Sequence, residues 1–324
     1  MSARPLLALT AGDPAGIGPE IVAALLARRE LGERMRVLAI GPASSRPRAV
    51  PVVTRERLEA LDGVAWLESA GAGDWELGRA QESAGRAALS ALRVGHELAL
   101  ERRVAALVTA PVSKEALHLA GERVEGQTEL LGRWCGASDV AMLGVARELR
   151  VLLLTRHLPL RRALEAIRPE LVRAQLSVLD EGLRRLGIPA PRLALAGLNP
   201  HAGERGLLGD EEERLLEPAL EDARAAGLAV TGPVSPDTVF LRASRGEFDG
   251  VLALYHDQAF IPLKLHAPHA GLTVLLRLPY LRVSPAHGTA FDIAGRGVAD
   301  PENLRLALEA AAGWAPHWRA RSAE

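Results

Sequence analysis

Lysine is almost missing from this sequence: of 39 lysines and arginines, only Lys114 and Lys264 are lysines. Cysteine occurs once, at Cys135. A single thiol excludes an internal disulfide framework and points to a reducing compartment. Aromatic residues make up 3% of the chain, too few for the stacking platforms that single-stranded nucleic acids require. The formal net charge is −1 with no basic block, so there is no broad electrostatic footprint for DNA or RNA. No apolar run approaches the ~20 residues needed to span a bilayer, and the apolar part of "MSARPLLALTAGDP" is too short for a secretory signal. These absences predict a soluble, cytoplasmic protein that engages neither nucleic acid nor membrane. The two lysines stand out against them. Arginine keeps its proton in proteins whereas lysine can titrate, so Lys264, and less strongly Lys114, are candidates for chemistry.

At 324 residues the chain exceeds the size at which a single core stops growing, which predicts two domains. Short apolar runs recur at 6–10, 36–41, 104–110, 149–155, 193–199, 251–256 and 272–279. Their apolar character is continuous rather than alternating, as in strands of a parallel sheet buried on both faces. Amphipathic stretches lie between them, and 83–104 and 168–187 read as helices, the second opening near a proline and stopping at Gly187. Strand–helix alternation predicts an α/β fold.

Turn segments carry the unusual residues. "TAGDPAGIGPEI" (10–21) follows the first strand and opens a helix, so its backbone N–H groups could face an anion. It matches neither a Walker loop nor G-x-G-x-x-G. Of the nine histidines, His96, His118 and His317 sit in helix-like stretches and are read as packing or surface residues. His157, His201 and His256 each end a predicted buried strand, the edge where open α/β sheets bind ligands. Three imidazoles converging there would make a metal site with an open position, suited to zinc and equally to cobalt, nickel or iron. Asp257, Asp237 and Glu204 are candidate carboxylates behind such a site. A polar, glycine-rich segment at 282–308 contains His287, Thr289 and Asp292 and reads as a binding loop.

The segments "TAGDPAGIGPEI", "TAPVSKEAL" (109–117), "GQTELL" (126–131), "RHLPL" (156–160), "GLNPHAGERGLLGDEE" (197–212), "SPDTVF" (235–240), "YHDQAFIPLK" (255–264) and "HGTAFDIAGRG" (287–297) together resemble the 4-hydroxythreonine-4-phosphate dehydrogenase (PdxA) family along nearly the whole chain. The last also resembles the NAD-binding loop of isocitrate and isopropylmalate dehydrogenases. The resemblance implies their fold, two α/β/α domains flanking a cleft. The expected division is 1–130 plus 278–324 as a dinucleotide-binding domain and 131–277 as a metal-binding and dimerisation domain. It implies a homodimer with a shared active site, in which His157, His201 and His256 hold one divalent metal, with zinc placed ahead of magnesium or cobalt. Substrate contacts are implied for Gln127, Thr128, Lys264, Thr273 and Arg282, with Lys264 and Asp257 serving catalysis. NAD or NADP would lie along Gly12, Asp13, His287, Gly288, Thr289 and Asp292. The implied reaction oxidises and decarboxylates 4-phosphohydroxy-L-threonine to 3-amino-2-oxopropyl phosphate, a step of pyridoxal phosphate biosynthesis.

The sequence departs from the family pattern at four positions. Gln127 stands where the family has histidine, Thr273 where it has asparagine, Arg277 where it has glycine, and Ala286 where it has aspartate. These departures favour the same chemistry on another 4-phosphorylated four-carbon acid, such as erythronate or threonate 4-phosphate. Losing an imidazole that meets an anion costs about 1–3 kcal/mol, enough to change substrate preference. Phosphate acyltransferases share the fold without NAD or metal, and the three strand-end histidines argue against that alternative.

Overall fold

The computed structural model describes residues 4–71, 73–137 and 139–318. Packing divides the chain into two units, Met1–Val140 with Leu278–Glu324, and Ala141–Arg277. The first crossing lies near 140 rather than 130 because the helix at 127–134 belongs to the first unit. Gly132 there packs so closely against Val140 and the carbonyl of Ala137 that an added Cβ would sit 2.9–3.0 Å from them.

The first unit runs β1 (Leu6–Thr10), α1 (Gly18–Leu26), α2 (Arg29–Arg34), β2 (Arg36–Gly41), β3 (Val64–Glu68), α3 (Glu82–Leu100), β4 (Ala106–Thr109), α4 (Lys114–Leu119) and α5 (Gln127–Trp134). The second comprises β5 (Ala141–Ala146), β6 (Leu149–Leu153), α6 (Leu160–Glu165), α7 (Pro169–Arg185), β7 (Leu193–Ala196), α8 (Glu217–Ala225), β8 (Val230–Val234), α9 (Val239–Ser244), β9 (Gly250–Ala253), α10 (His256–His266) and β10 (Gly271–Leu276). The chain then returns to the first unit with β11 (Arg282–Pro285) and α11 (Glu302–Trp314). Among the described residues no helix is long and apolar enough to cross a membrane.

The strands of the first unit lie in the order β3-β2-β1-β4-β11 and every pairing is parallel. β1 is buried along its whole length, which explains its unbroken apolar sequence. Helix α3 packs on β1, β2 and β4, and α11 on β1, β4 and β11. The second unit has the order β10-β5-β6-β9-β7-β8 and departs from the expected parallel sheet. β6, β9, β7 and β8 are parallel, but β5 is antiparallel to both β6 and β10. A continuous apolar run reports burial on two faces and is silent on strand direction. β5 and β6 are joined by a tight turn at Arg147–Glu148, with Arg147 at φ +53°.

The helix that carries His256 and Lys264, α10, reaches its sheet through a glycine. A Cβ on Gly144 of β5 would lie 2.4 Å from Leu263 Cδ1, so any larger residue would push α10 outward. Leu263 and Ala259 join Phe240, Phe248 and the strand side chains in the core of this unit.

Candidate active site

In the second unit, β6, β9 and β7 are adjacent and parallel, so their C-terminal ends lie along one edge, and those ends carry His157, His256 and His201. A buried network ties the three ends together. Thr155 donates its hydroxyl to the Leu254 carbonyl at 2.8 Å. Gln258 accepts from the Leu254 N–H at 2.7 Å and donates to the Gly197 carbonyl at 2.8 Å. Glu212 is almost fully buried. It accepts from the Leu198 and Asn199 N–H groups, both at 2.7 Å, and from the Asn199 amide at 2.8 Å. Buried polar groups of this kind fix a geometry because leaving any of them unpaired is costly.

That bracing holds an unfavourable backbone. Residues 201–205 all have positive φ, from +45° at Glu204 to +78° at Gly203, with His201 at +53°. His157 is at +44°. Non-glycine residues in the left-handed region are rare, cost roughly 1–3 kcal/mol each, and cluster at functional sites. The His157 and His256 rings lie 5.8 Å apart. His256 stacks on Phe260 at 4.7 Å, and its Nδ1 donates to Asp257 Oδ1 at 2.6 Å, leaving Nε2 free. Asp257, expected to serve catalysis, thus orients His256. Among the described residues, His157, His201 and His256 of one chain do not bring three ligand atoms within 4.8 Å of one another. Lys264 is exposed on α10, two turns beyond His256, and Thr273 is buried in β10 opposite Gly144. Arg277, where the family has glycine, adopts φ +73°.

In the first unit, Arg282 opens β11 and is 3% exposed. Its Nη2 donates to the Thr109 hydroxyl at 2.6 Å, and its Nε has no partner. Burial pushes its pKa down to about 10, opposed by the neighbouring Tyr280 and Glu129, so it stays cationic at neutral pH. Tyr280 is in turn fixed by His96 Nδ1 at 2.8 Å. Thr128 is buried in the first turn of α5. Beside it, Gln127 donates its amide Nε2 to the Ala110 carbonyl at 3.1 Å, which leaves its carbonyl Oε1 buried without a partner.

The glycine turn after β1 is folded closely on the chain around it. Residues 11–18 are all buried. Asp13 accepts from the Ala15 N–H at 3.0 Å and the Ser113 N–H at 3.4 Å, and burial raises its pKa. Gly12, at φ +78°, lies so close to the chain that a Cβ would meet the Pro111 carbonyl at 2.4 Å. Gly12 and Asp13 thus shape the turn, and the Asp13 N–H is itself taken by the Pro111 carbonyl at 2.9 Å. What the turn does face is the 287–297 loop, since the Ile17 N–H donates to the Thr289 carbonyl at 3.0 Å. His287 and Asp292 are exposed on that loop.

Comparison with known proteins shows the family. The family described as pyridoxal phosphate biosynthetic protein PdxA matches residues 24–311. The chain is 41% identical to D-threonate 4-phosphate dehydrogenase of Salmonella typhimurium, covering 94% of this chain and 97% of that one. It is 42% identical to 4-hydroxythreonine-4-phosphate dehydrogenase of Beijerinckia indica, covering 94% and 93%. The crystal structure of 4-hydroxythreonine-4-phosphate dehydrogenase from Klebsiella pneumoniae superposes with a TM-score of 0.86 at 40% identity, over 97% of this chain and 98% of that one. The chain belongs to the PdxA family.

Sequence reasoning missed several residues around these candidate positions in each unit. Thr109 and Tyr280 around Arg282, and Glu212, Gln258 and Thr155 behind the histidines, were not singled out. Glu212 does close the motif that starts at Gly197, and Gln258 follows the His256–Asp257 pair directly. Their place inside rare motifs was the available signal.

Proposed function

We propose that the protein is an NAD(P)-dependent dehydrogenase that oxidises the secondary alcohol of a 4-phosphorylated four-carbon hydroxy acid, the resulting β-keto acid then losing carbon dioxide. The observation that carries this reading is Arg282. A buried guanidinium with one hydroxyl partner and no ion pair among the described residues is a cation whose charge a substrate phosphate or carboxylate would balance. Thr128, Lys264 and Thr273 are assigned to the same substrate, with Lys264 as a point charge or proton carrier.

Gln127 bears on which acid is taken. Its Nε2 donates one N–H to Ala110 and keeps a second beside the unpartnered carbonyl, so the side chain can hydrogen-bond a substrate but, being neutral, cannot pair charge with an anion as a protonated imidazole would. A neutral amide where the family carries an ionisable imidazole favours an acid other than the amino acid of the biosynthetic reaction. D-threonate 4-phosphate, named for the Salmonella relative, is the substrate we assign, and 4-phosphohydroxy-L-threonine is its competitor.

The histidines suit a divalent cation. Asp257 fixes the His256 tautomer as carboxylates do behind metal-bound imidazoles, and the backbone strain at His157 and His201 is retained by a dedicated brace. His157 and His256 would hold the ion with His201 of a second copy, zinc, cobalt or magnesium being the candidates. Such an ion, when bound, would acidify the substrate alcohol and stabilise the negative charge that develops as carbon dioxide leaves. Exposed apolar side chains of the second unit, Leu158, Leu160, Leu207, Ile261 and Leu265, lie close in sequence to the three histidines. They favour burial between two copies. NAD or NADP would be held by His287, Gly288, Thr289 and Asp292.

The test is a panel of 4-phosphorylated four-carbon acids with each dinucleotide and a divalent metal, read by nicotinamide absorbance, for wild type and Gln127→His. D-threonate 4-phosphate should be the best wild-type substrate, and the histidine variant should shift preference toward 4-phosphohydroxy-L-threonine. Thiol release from an acyl-CoA without nicotinamide reduction would instead make the protein an acyltransferase.

A further inference from the structure

We propose that Glu20 is a positioning residue for the dinucleotide: from the first turn of α1, its carboxylate holds the backbone of 295–299 in the conformation that receives the cofactor. The role rests on the proposed assignment of the 287–297 loop to NAD(P). Gly295 and Gly297 donate their N–H groups to Glu20 Oε2 at 3.0 and 3.4 Å, and Ala299 donates to Oε1 at 3.3 Å.

Residues 286–300 form neither helix nor strand, so their backbone donors have no ladder to pair with. One carboxylate supplies acceptors for three of them, and bonds to a charged acceptor are the stronger kind. Glu20 forms no ion pair among the described residues, so its hydrogen bonding is directed at this loop. Its charge also suits the positive end of α1.

The rest of the glycine turn docks on the same loop. Besides the Ile17–Thr289 bond, a Cβ on Gly16 would lie 3.0 Å from Thr289 Cβ. Gly78 donates to the Ala15 carbonyl, and a Cβ on Gly78 would meet the Phe291 carbonyl at 2.7 Å. The first and last motifs of the chain are therefore one device, in which 12–20 is the mould and 287–299 the part it shapes.

The experiment uses the full chain as Glu20→Ala, Glu20→Gln and Glu20→Asp. NADH and NADPH affinity is measured by fluorescence titration, acid affinity by KM at saturating dinucleotide, and loop order by amide hydrogen exchange. In Glu20→Ala, exchange at 295–299 should rise and the dinucleotide Kd should increase about tenfold, or ~1.4 kcal/mol. The acid KM should stay within about twofold. Glu20→Gln should fall between alanine and wild type, and it carries the comparison should alanine fail to fold. Glu20→Asp should recover part of the affinity. Faster exchange with unchanged dinucleotide Kd would make Glu20 a structural tie only and overturn the proposal. If wild type binds neither NADH nor NADPH, the assignment of the loop falls first, and the positioning role falls with it.

Discussion

Replacing Arg282 with methionine should move activity and stability in opposite directions. Methionine keeps much of the apolar stem and removes the charge. Arg282 is 3% exposed, and burial depresses its pKa to about 10. A depression of that size corresponds to about 3 kcal/mol of unfavourable burial. Exchanging buried ionic groups for apolar ones of similar volume is often neutral or stabilising by about 1–4 kcal/mol. The substrate-free variant should therefore be more stable than wild type by about 1–3 kcal/mol in urea unfolding. The sign holds across the neutral range. A base whose folded pKa is lowered carries its full penalty below that value, and the gain should shrink only as the pH rises past about 10. Function should suffer. Two hydrogen bonds from a charged group to a substrate anion are worth about 3–6 kcal/mol, so kcat/KM should fall by two to four orders of magnitude, at about 1.4 kcal/mol per tenfold. Inorganic phosphate or substrate, which should raise the melting temperature of wild type, should leave the variant unmoved. A variant that is less stable, turns over normally and still responds to phosphate would refute the assignment of Arg282 as the anion site.

Four further outcomes follow from the geometry. His201→Gly removes an assigned ligand and relieves a left-handed backbone, so the metal-free protein should gain about 1 kcal/mol while bound metal, measured by elemental analysis, falls toward zero. Glu212→Gln can keep its oxygen on the Leu198 and Asn199 N–H groups only by turning its amide nitrogen toward the Asn199 Nδ2 donor, and should cost about 1–3 kcal/mol in stability and weaken metal affinity without touching a ligand. Ile261→Glu with Leu265→Glu should yield a monomer by light scattering, and that monomer should lose metal binding. Burial opposes ionisation of Asp249, but its hydrogen bonds from Arg192 outweigh that and hold its carboxyl below the usual range. A lowered folded pKa gives stability that is complete above the unfolded value of ~3.9 and is lost as pH falls through the folded one. Asp249→Asn should thus lose stability at neutral pH and show a shallower acid limb in thermal melts.

The apolar runs at 6–10, 36–41, 104–110, 149–155, 193–199, 251–256 and 272–279 each contain a strand of the structure or all of one but its first glycine, because two-sided burial writes itself into sequence as unbroken hydrophobicity. The strands that stayed hidden break that rule for physical reasons. β8 is interrupted by Gly232-Pro233, and β11 opens on the buried Arg282 and ends at a proline. β5 carries Gly144 where Leu263 comes closest. Strand direction was not legible at all, since β10 and β6 look alike in sequence and pair oppositely with their outer neighbours.

The candidate site was legible where a residue type is out of place, and its supports were hidden where they look ordinary. A histidine closing a buried strand has no backbone purpose, so His157, His201 and His256 could be picked out. Glu212 sits in an acidic run that reads as a solvated surface, yet it is buried and braces the turn presenting His201. The motif from Gly197 to Glu212 is long because the exposed imidazole and the carboxylate that fixes its turn sit toward opposite ends of one loop. The first motif obeys the same logic, with Glu20 at its far end facing a segment some 275 residues away. Rarity over such a span therefore measures how much brace a functional turn needs, and the brace, invisible as chemistry, is what makes the motif recognisable.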